Sequence, residues 1–527
     1  MAIQSVDAIT LKRWLHGQTE IALFDVREHG QYGESHLFLA TSVPYSRLEY
    51  EVARLAPRKS VRLVVYDENG AGVSIKAAQA LIKQGYQDVY LLSGGTQGWQ
   101  DAGFNLFAGV NLPSKTFGEL VEQQCHTPRV SAHDVVKMMA DREDFIILDG
   151  RPQSEFKKMS IPGAQCCPNG ELAYRIKSHV SNQDTKIIIN CAGRTRSIIG
   201  AQTLINLGIK NPIFALENGT QGWYLNDYAL DHGKVAHYAK PRVDDEILLA
   251  SKALVNKFDI PLISDEQFLS WINDEGRSLY LCDVRTAEEF SFNGLPGAQN
   301  TPGGQLIQAT DQFVGVRNAR IVLYDSDGVR AITVASWLKQ MGHDVAVLRE
   351  GVNSKVSLPS IQTDHLLGKA TIKTEDLFQT YQNDSITTLD IRGSMQYRKN
   401  HLPNSIWAIR PQLQEIIRDA KETILFISDD PALTYGALLE LDGSDLNIQV
   451  YELEDPSFPK ELETISSETT PPDLDCIDFL FFVHDRHDGN KDAARRYLEW
   501  ETGLIAQLDQ DELNLYSIQF SSSSFFL

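Results

Sequence analysis

Apolar runs of a few residues, each closed by a polar residue, recur along the chain and alternate with polar, helix-capable stretches. Four of them end in aspartate with an arginine two positions on: Leu23-Phe24-Asp25-Val26-Arg27, Ile147-Leu148-Asp149-Gly150-Arg151, Leu281-Cys282-Asp283-Val284-Arg285 and Thr388-Leu389-Asp390-Ile391-Arg392. Short runs of this kind, rich in β-branched residues, predict strands. Pro162-Gly163-Ala164 and Pro296-Gly297-Ala298 then mark a turn in the second and third segments. His401–Ser405 holds that place in the fourth, and His36-Leu37 in the first.

A second apolar run ends 42 residues beyond each of Asp25, Asp149 and Asp283, at Asp67, Cys191 and Asp325. In the fourth segment the run Ile424–Ile427 ends a few residues short of that spacing, at Ser428. Gly95-Thr96-Gln97-Gly98-Trp99 and Gly219-Thr220-Gln221-Gly222-Trp223 form a third marker, each tryptophan 32 residues beyond the second. Three markers in register predict four tandem copies of one domain, at 1–110, 127–232, 260–357 and 370–456. Each copy reads as helix, strand, helix, strand, helix, strand. That is an α/β fold with a mainly parallel sheet flanked by helices. Lys234–Lys257 bridges the second and third copies. After the polar linker Thr464–Pro472, Phe479–Val483 reads as a strand, His484–Gly489 as a loop and Lys491–Leu508 as an amphipathic helix. Together, 473–512 is expected to form a small C-terminal αβ extension.

The stretch with chemistry in it is Lys186–Gly200. Ile187-Ile188-Ile189-Asn190 delivers Cys191 into the loop Ala192-Gly193-Arg194-Thr195-Arg196-Ser197, and a helix-like segment follows. A thiol at a strand end and a helix N-terminus meets free backbone N–H groups and the positive end of the helix dipole. Two guanidinium groups beside it add to the preference for a thiolate. Cys191 is therefore expected to be a nucleophile. Because Asp149 and Arg151 have counterparts in copies without the cysteine, a shared structural ion pair explains them better than catalysis. Trp99 and Trp223 read as core. Cys166 and Cys167 read as packing residues before a second reactive thiol pair, and Cys125, Cys282 and Cys476 as structural. His484 and His487 with Asp485 and Asp488 offer no further ligand for a metal, and no cofactor is expected.

Composition narrows the partners. The 527 residues suit about three to five domains. With 49 basic and 70 acidic residues the formal charge is −21, which argues against nucleic acid or an anionic membrane as partner. Any anionic substrate must be caught locally, against the overall field. No charged and then apolar leader opens the chain, no run reaches membrane-spanning length, and the six cysteines form no framework. A cytoplasmic protein with reduced thiols is expected.

The Asp-x-Arg strand end, the Pro-Gly-Ala turn, the Cys191-x-x-x-x-Arg196-Ser197 loop and the Gly-x-x-x-Trp segment together resemble the rhodanese superfamily, and the whole resembles a sulfurtransferase with four rhodanese-like domains. The resemblance covers roughly residues 1–456 and is strongest in the second copy. It implies that Cys191 takes sulfane sulfur from a small anionic donor such as thiosulfate, holds it as a persulfide and passes it to cyanide or a thiol, with a protein donor or acceptor also compatible. It implies too that Ala192, Gly193, Arg194, Thr195, Arg196 and Ser197 cradle the donor, with Arg175 as a third cationic ligand and Gly193 allowing tight curvature. Asp67, Asp325 and Ser428 cannot carry a persulfide, so those copies are expected to be inactive. Two rivals remain open here. One is a persulfide carrier or scaffold; the other is a phosphatase or arsenate reductase of the same fold. The four residues between Cys191 and Arg196 and the Asn190 before the thiol favour sulfur over phosphate.

Overall fold

The structure, a computed structural model, describes residues 3–235, 238–360, 371–381, 383, 385–453, 458–459, 462–481 and 490–519. It divides into two units. One holds Met1–Gly17, Ile21–Val110 and Ile361–Val483; the other holds Gln18–Glu20, Asn111–Ser360 and His484–Leu527. The first and fourth copies thus share one unit, and the second and third share the other.

In the unit that carries Cys191, two parallel sheets repeat one strand order. The second copy runs Arg129–Val130, Ile213–Leu216, Lys186–Asn190, Phe145–Asp149, Gln165–Cys166. The third runs Leu262–Ile263, Asp344–Leu348, Arg320–Tyr324, Leu279–Asp283, Gln299–Asn300. The isoleucine run sits in the middle of its sheet and is buried on both faces, as a parallel sheet covered by helices requires. Each such side chain contributes about 1.5–3 kcal/mol by leaving water. The two copies meet where helices Asn169–His179 and Gly303–Gln308 cross. A β-carbon on Gly170 would stand 2.6 Å from the Gly304 nitrogen.

The other unit contains two more parallel sheets. The first copy runs Gln4–Val6, Asp88–Leu92, Arg62–Tyr66, Ile21–Asp25, Thr41–Ser42. The fourth runs Asn447–Glu452, Thr423–Ser428, Ile386–Asp390, Ile406–Trp407. Its fifth strand is reduced to a parallel bridge from Thr371 to Val450. Every copy has short edge pairings that the three-strand reading lacks, because two or three residues carry no periodicity.

All four Asp-x-Arg pairs form the same buried turn. Arg151 places its Nε 2.9 Å and its Nη2 2.7 Å from the two Asp149 oxygens, its amide reaches Oδ1, and Nη2 also reaches the Met159 carbonyl at 2.7 Å. Arg27, Arg285 and Arg392 repeat the fork. Trp99 and Trp223 lie in the core, each donating its indole N–H to a carbonyl six residues on, at 2.9 Å.

The C-terminal segment departs from the expected extension. Residues 479–481 form no strand. The Ile477 carbonyl instead accepts the amides of Gly30 and Gln31 at the start of helix His29–Glu34, and Leu480 fills the space above Gly33. The rest of that expected strand and the whole His484–Gly489 loop lie outside the described residues. The amphipathic helix is present as Lys491–Thr502, followed by a tight turn at Ile505–Gln507. No described helix is long and apolar enough to cross a membrane.

Candidate functional site

Strand Lys186–Asn190 ends beside Asp149, with the Asn190 Nδ2 donating to Asp149 Oδ2 at 2.8 Å, and Cys191 is the next residue. The loop turns directly into helix Thr195–Asn206, whose N-terminal Arg194 supplies no capping side chain. Among the described residues the amides of Gly193, Arg194, Thr195 and Arg196 make no hydrogen bond. Carbonyls on the other side of the loop are engaged: Thr220 N–H donates to Cys191 O at 2.8 Å and Gln221 N–H to Ala192 O at 3.1 Å. Gly219, at φ +54°, lies so close to the Cys191 carbonyl that no side chain fits. This explains the first glycine of the Gly-x-x-x-Trp marker, which the sequence reading left without a role.

The loop arginines are already paired. Arg196 forms a fork with Glu155, at 2.7 and 2.8 Å. Arg194 reaches both Glu119 oxygens at 2.7 and 2.9 Å and also bonds Glu122. Both acids lie on helix Leu112–Cys125, which presses Gly118 against Thr195. Burial works against the charge of Arg194 and Arg196, and these carboxylates overcome it, raising both above the ordinary value. Burial pushes Glu119 up to about 7 in spite of Arg194. Direct contact between a guanidinium and a donor would require one of these pairs to open. The loop amides have no such pair to open, but Cys191 to Thr195 are all buried.

Arg175 is spent elsewhere. Its Nε donates to Glu171 at 2.6 Å, and its guanidinium lies 5.1 Å from the Tyr238 ring centre, while Glu171 also binds Arg330 of the third copy at 2.8 Å. The arginine expected to reach a donor is thus a buried tie at the junction of the second and third copies.

Gly193 also differs from expectation. Its backbone is not in the left-handed region, so curvature does not require glycine there. What its missing side chain admits is a carboxylate. A β-carbon on Gly193 would stand 2.9 Å from Glu501 Oε2 on helix Lys491–Thr502. The other oxygen, Oε1, accepts from Thr195 Oγ1 at 3.0 Å. Lys115 ties that helix down through Tyr497 Oη, with its ammonium 4.6 Å from the ring centres of Tyr497 and Trp500. Cys191 is 1% exposed beneath this cover. Burial raises its thiol pKa, Arg196 and Ser197 pull it back down, and the Glu501 charge adds to the rise. Cys166 and Cys167 are buried thiols; burial pushes the first up to about 12 and holds the second well above the ordinary value.

The Cys-less loops show what this backbone shape holds. Asp325 accepts from the amides of Asp327, Gly328 and Ala331 at 3.2, 2.9 and 2.8 Å. Asp67 likewise accepts from Asn69, Gly70, Gly72 and Ser74. In both, a carboxylate of the chain itself fills an amide cradle.

A family model described as a rhodanese-like domain matches residues 7–102, 131–226 and 264–356, more than half of the chain. The thiosulfate sulfurtransferase GlpE of Coxiella burnetii is 30% identical over 92 residues, 17% of this chain and 82% of that protein. The uncharacterized protein YqhL of Bacillus subtilis is 30% identical over 91 residues, 17% of this chain and 70% of its own length. A crystal structure of thiosulfate sulfurtransferase from Pseudomonas aeruginosa is similar across 98% of this chain and 100% of that one, at 36% identity and a TM-score of 0.89. That likeness extends over the fourth sheet, which the family model leaves unmatched.

Proposed function

This chain belongs to the rhodanese superfamily of sulfurtransferases, with its domains in tandem, and from that premise we propose that Cys191 carries sulfane sulfur, as a persulfide, from a donor to a thiophilic acceptor. The observation that carries the reading is a strand-end thiol set under four unengaged amides at a helix N-terminus. With thiosulfate, the Cys191 thiolate attacks the sulfane sulfur, the S–S bond breaks, and sulfite leaves with its electron pair. Cyanide or a thiolate then attacks the outer sulfur and the Cys191 thiolate is restored. The amides from Ala192 to Arg196 hold the anionic persulfide, while Arg194 and Arg196, through their carboxylates, fix the loop's shape and Arg196 draws the thiol pKa down against burial.

We read four domains, at 1–110, 127–232, 260–357 and 370–456, a division that the four sheets support. The copies with Asp67, Asp325 and Ser428 are read as non-catalytic, their cradles closed or their thiol missing. Six unpaired cysteines suit a reducing compartment, which supports a cytoplasmic setting.

Intact-mass measurement after brief exposure to thiosulfate tests this. One added sulfur is expected, discharged by cyanide as thiocyanate and absent in Cys191→Ser. Loading from a protein persulfide alone would make the chain a carrier. Hydrolysis of an aryl phosphate with no sulfur gain would replace the reading with a phosphatase.

A further inference from the structure

Glu501 is 2% exposed, and its Oε2 has no hydrogen-bond partner among the described residues. An unpaired buried carboxylate oxygen is costly, so its position calls for a reason. Two independent features of the chain accommodate it. Gly193 leaves out the side chain that would collide with Oε2, and Thr195 in the same loop holds Oε1. Arg194 feels this charge, but it and Arg196 also face Glu119, Glu122 and Glu155, so two cations are shared among four acids. The fixed charge therefore stands at the amides where a donor's anionic group would bind.

We propose that Glu501 sets the charge selectivity of the Cys191 site, disfavouring small dianionic donors such as thiosulfate and favouring persulfides R–S–SH whose R group is neutral or cationic. This rests on Cys191 being the sulfur carrier. A dianion entering the cradle meets the carboxylate at a few ångströms, where even with screening close to that of water one unit charge changes binding by about five- to tenfold. A persulfide whose R group is neutral or cationic carries at most one negative charge on its sulfur and meets less repulsion.

Alkylation of Cys191 tests the charge effect without relying on sulfur chemistry. Iodoacetamide and iodoacetate are close in size and differ by one negative charge, and their rates can be followed by intact mass and peptide mapping on the full chain. Taking the ratio of the two removes any change in thiolate fraction. In Glu501→Gln, which keeps the shape and the Thr195 contact, the iodoacetate-to-iodoacetamide ratio is expected to rise about tenfold. In Glu501→Asp, which keeps the charge, it should stay near the wild-type value. Sulfur loading should follow, with the rate ratio of cysteamine persulfide to thiosulfate falling in Glu501→Gln. An unchanged alkylation ratio in Glu501→Gln overturns the proposal, as does an equal rise in both variants, which would make the effect one of packing. A raised ratio in Glu501→Gln alone, with no donor loading sulfur in any variant, would uphold the charge selection and remove the sulfurtransferase reading instead.

Discussion

Cys191-Ala192-Gly193-Arg194-Thr195-Arg196 and Asp325-Ser326-Asp327-Gly328-Val329-Arg330 leave equivalent strand ends and enter equivalent helices. Both end in an arginine that forks onto a glutamate six residues beyond the Asp-x-Arg aspartate, Arg196 on Glu155 and Arg330 on Glu289. That ion pair is present with and without the thiol, so it belongs to the loop's architecture before it belongs to any reaction. The difference lies in the amides. In the second copy they are unengaged; in the third, Asp325 and Asp327 take them all, with Asp327 Oδ1 accepting from Val329 and Arg330 at 3.1 and 3.0 Å. The same backbone has either a cysteine sulfur at its mouth or an anion of its own inside it.

The part the two copies share is the sharpest test of their equivalence. Arg151 and Arg285 are both buried against a buried aspartate. Removing one partner of such a pair strands the other's charge, which costs about 3–5 kcal/mol. Arg151→Met and Arg285→Met are expected to lose similar amounts in urea unfolding. In Arg285→Met, sulfur loading per folded molecule should stay at the wild-type level. A large inequality in cost would mean that the two turns are not the same structural device.

The amide difference can be tested by rebuilding the site. In a Cys191→Ser background, Asp325→Cys should gain no sulfur from thiosulfate, because Asp327 still occupies the amides of Val329 and Arg330. Adding Asp327→Gly removes that carboxylate and restores the glycine found at the matching position, 193. The double change should then take up sulfur, read as one added sulfur by intact mass. Uptake by Asp325→Cys alone would show that Asp327 is not what closes the third copy.

The repeat was legible because its markers are residues the fold cannot vary freely: a buried fork, a turn, a strand end. Asp-x-x-Gly at Asp67–Gly70 and Asp325–Gly328 was also readable as a self-closing turn, since each glycine takes a positive φ, +74° and +71°. The sequence reading saw only that the thiol was missing there. What no local pattern could reveal is the acidic surround of Cys191. Glu119, Glu122 and Lys115 lie on a helix between two predicted domains, and Glu501 comes from a segment 306 positions away from Thr195. The present partners of Arg175 were hidden for a related reason. It stands at a suitable distance along the chain, but a neighbouring copy supplies Arg330 to share its glutamate, and a contact between copies leaves no trace in one copy's spacing.

The remaining difference is the pair of Arg194 with Glu119, which the third copy lacks because Gly328 stands where Arg194 would. Burial raises Glu119 to about 7 against an ordinary 4.5. Between those values the folded protein keeps a proton that the unfolded chain has released, so the native state binds more protons. The associated stability is fully present below pH 4.5 and is lost as pH rises through 7. Glu119→Gln cannot titrate. Its unfolding free energy, measured in urea at pH 4.5 and pH 8, should therefore gain on the wild type by at most about 2–3 kcal/mol across that interval. A difference that moves the other way would mean that Arg194 outweighs burial and holds Glu119 ionised throughout, so that the Cys191 loop carries one more fixed negative charge at neutral pH than burial alone would allow.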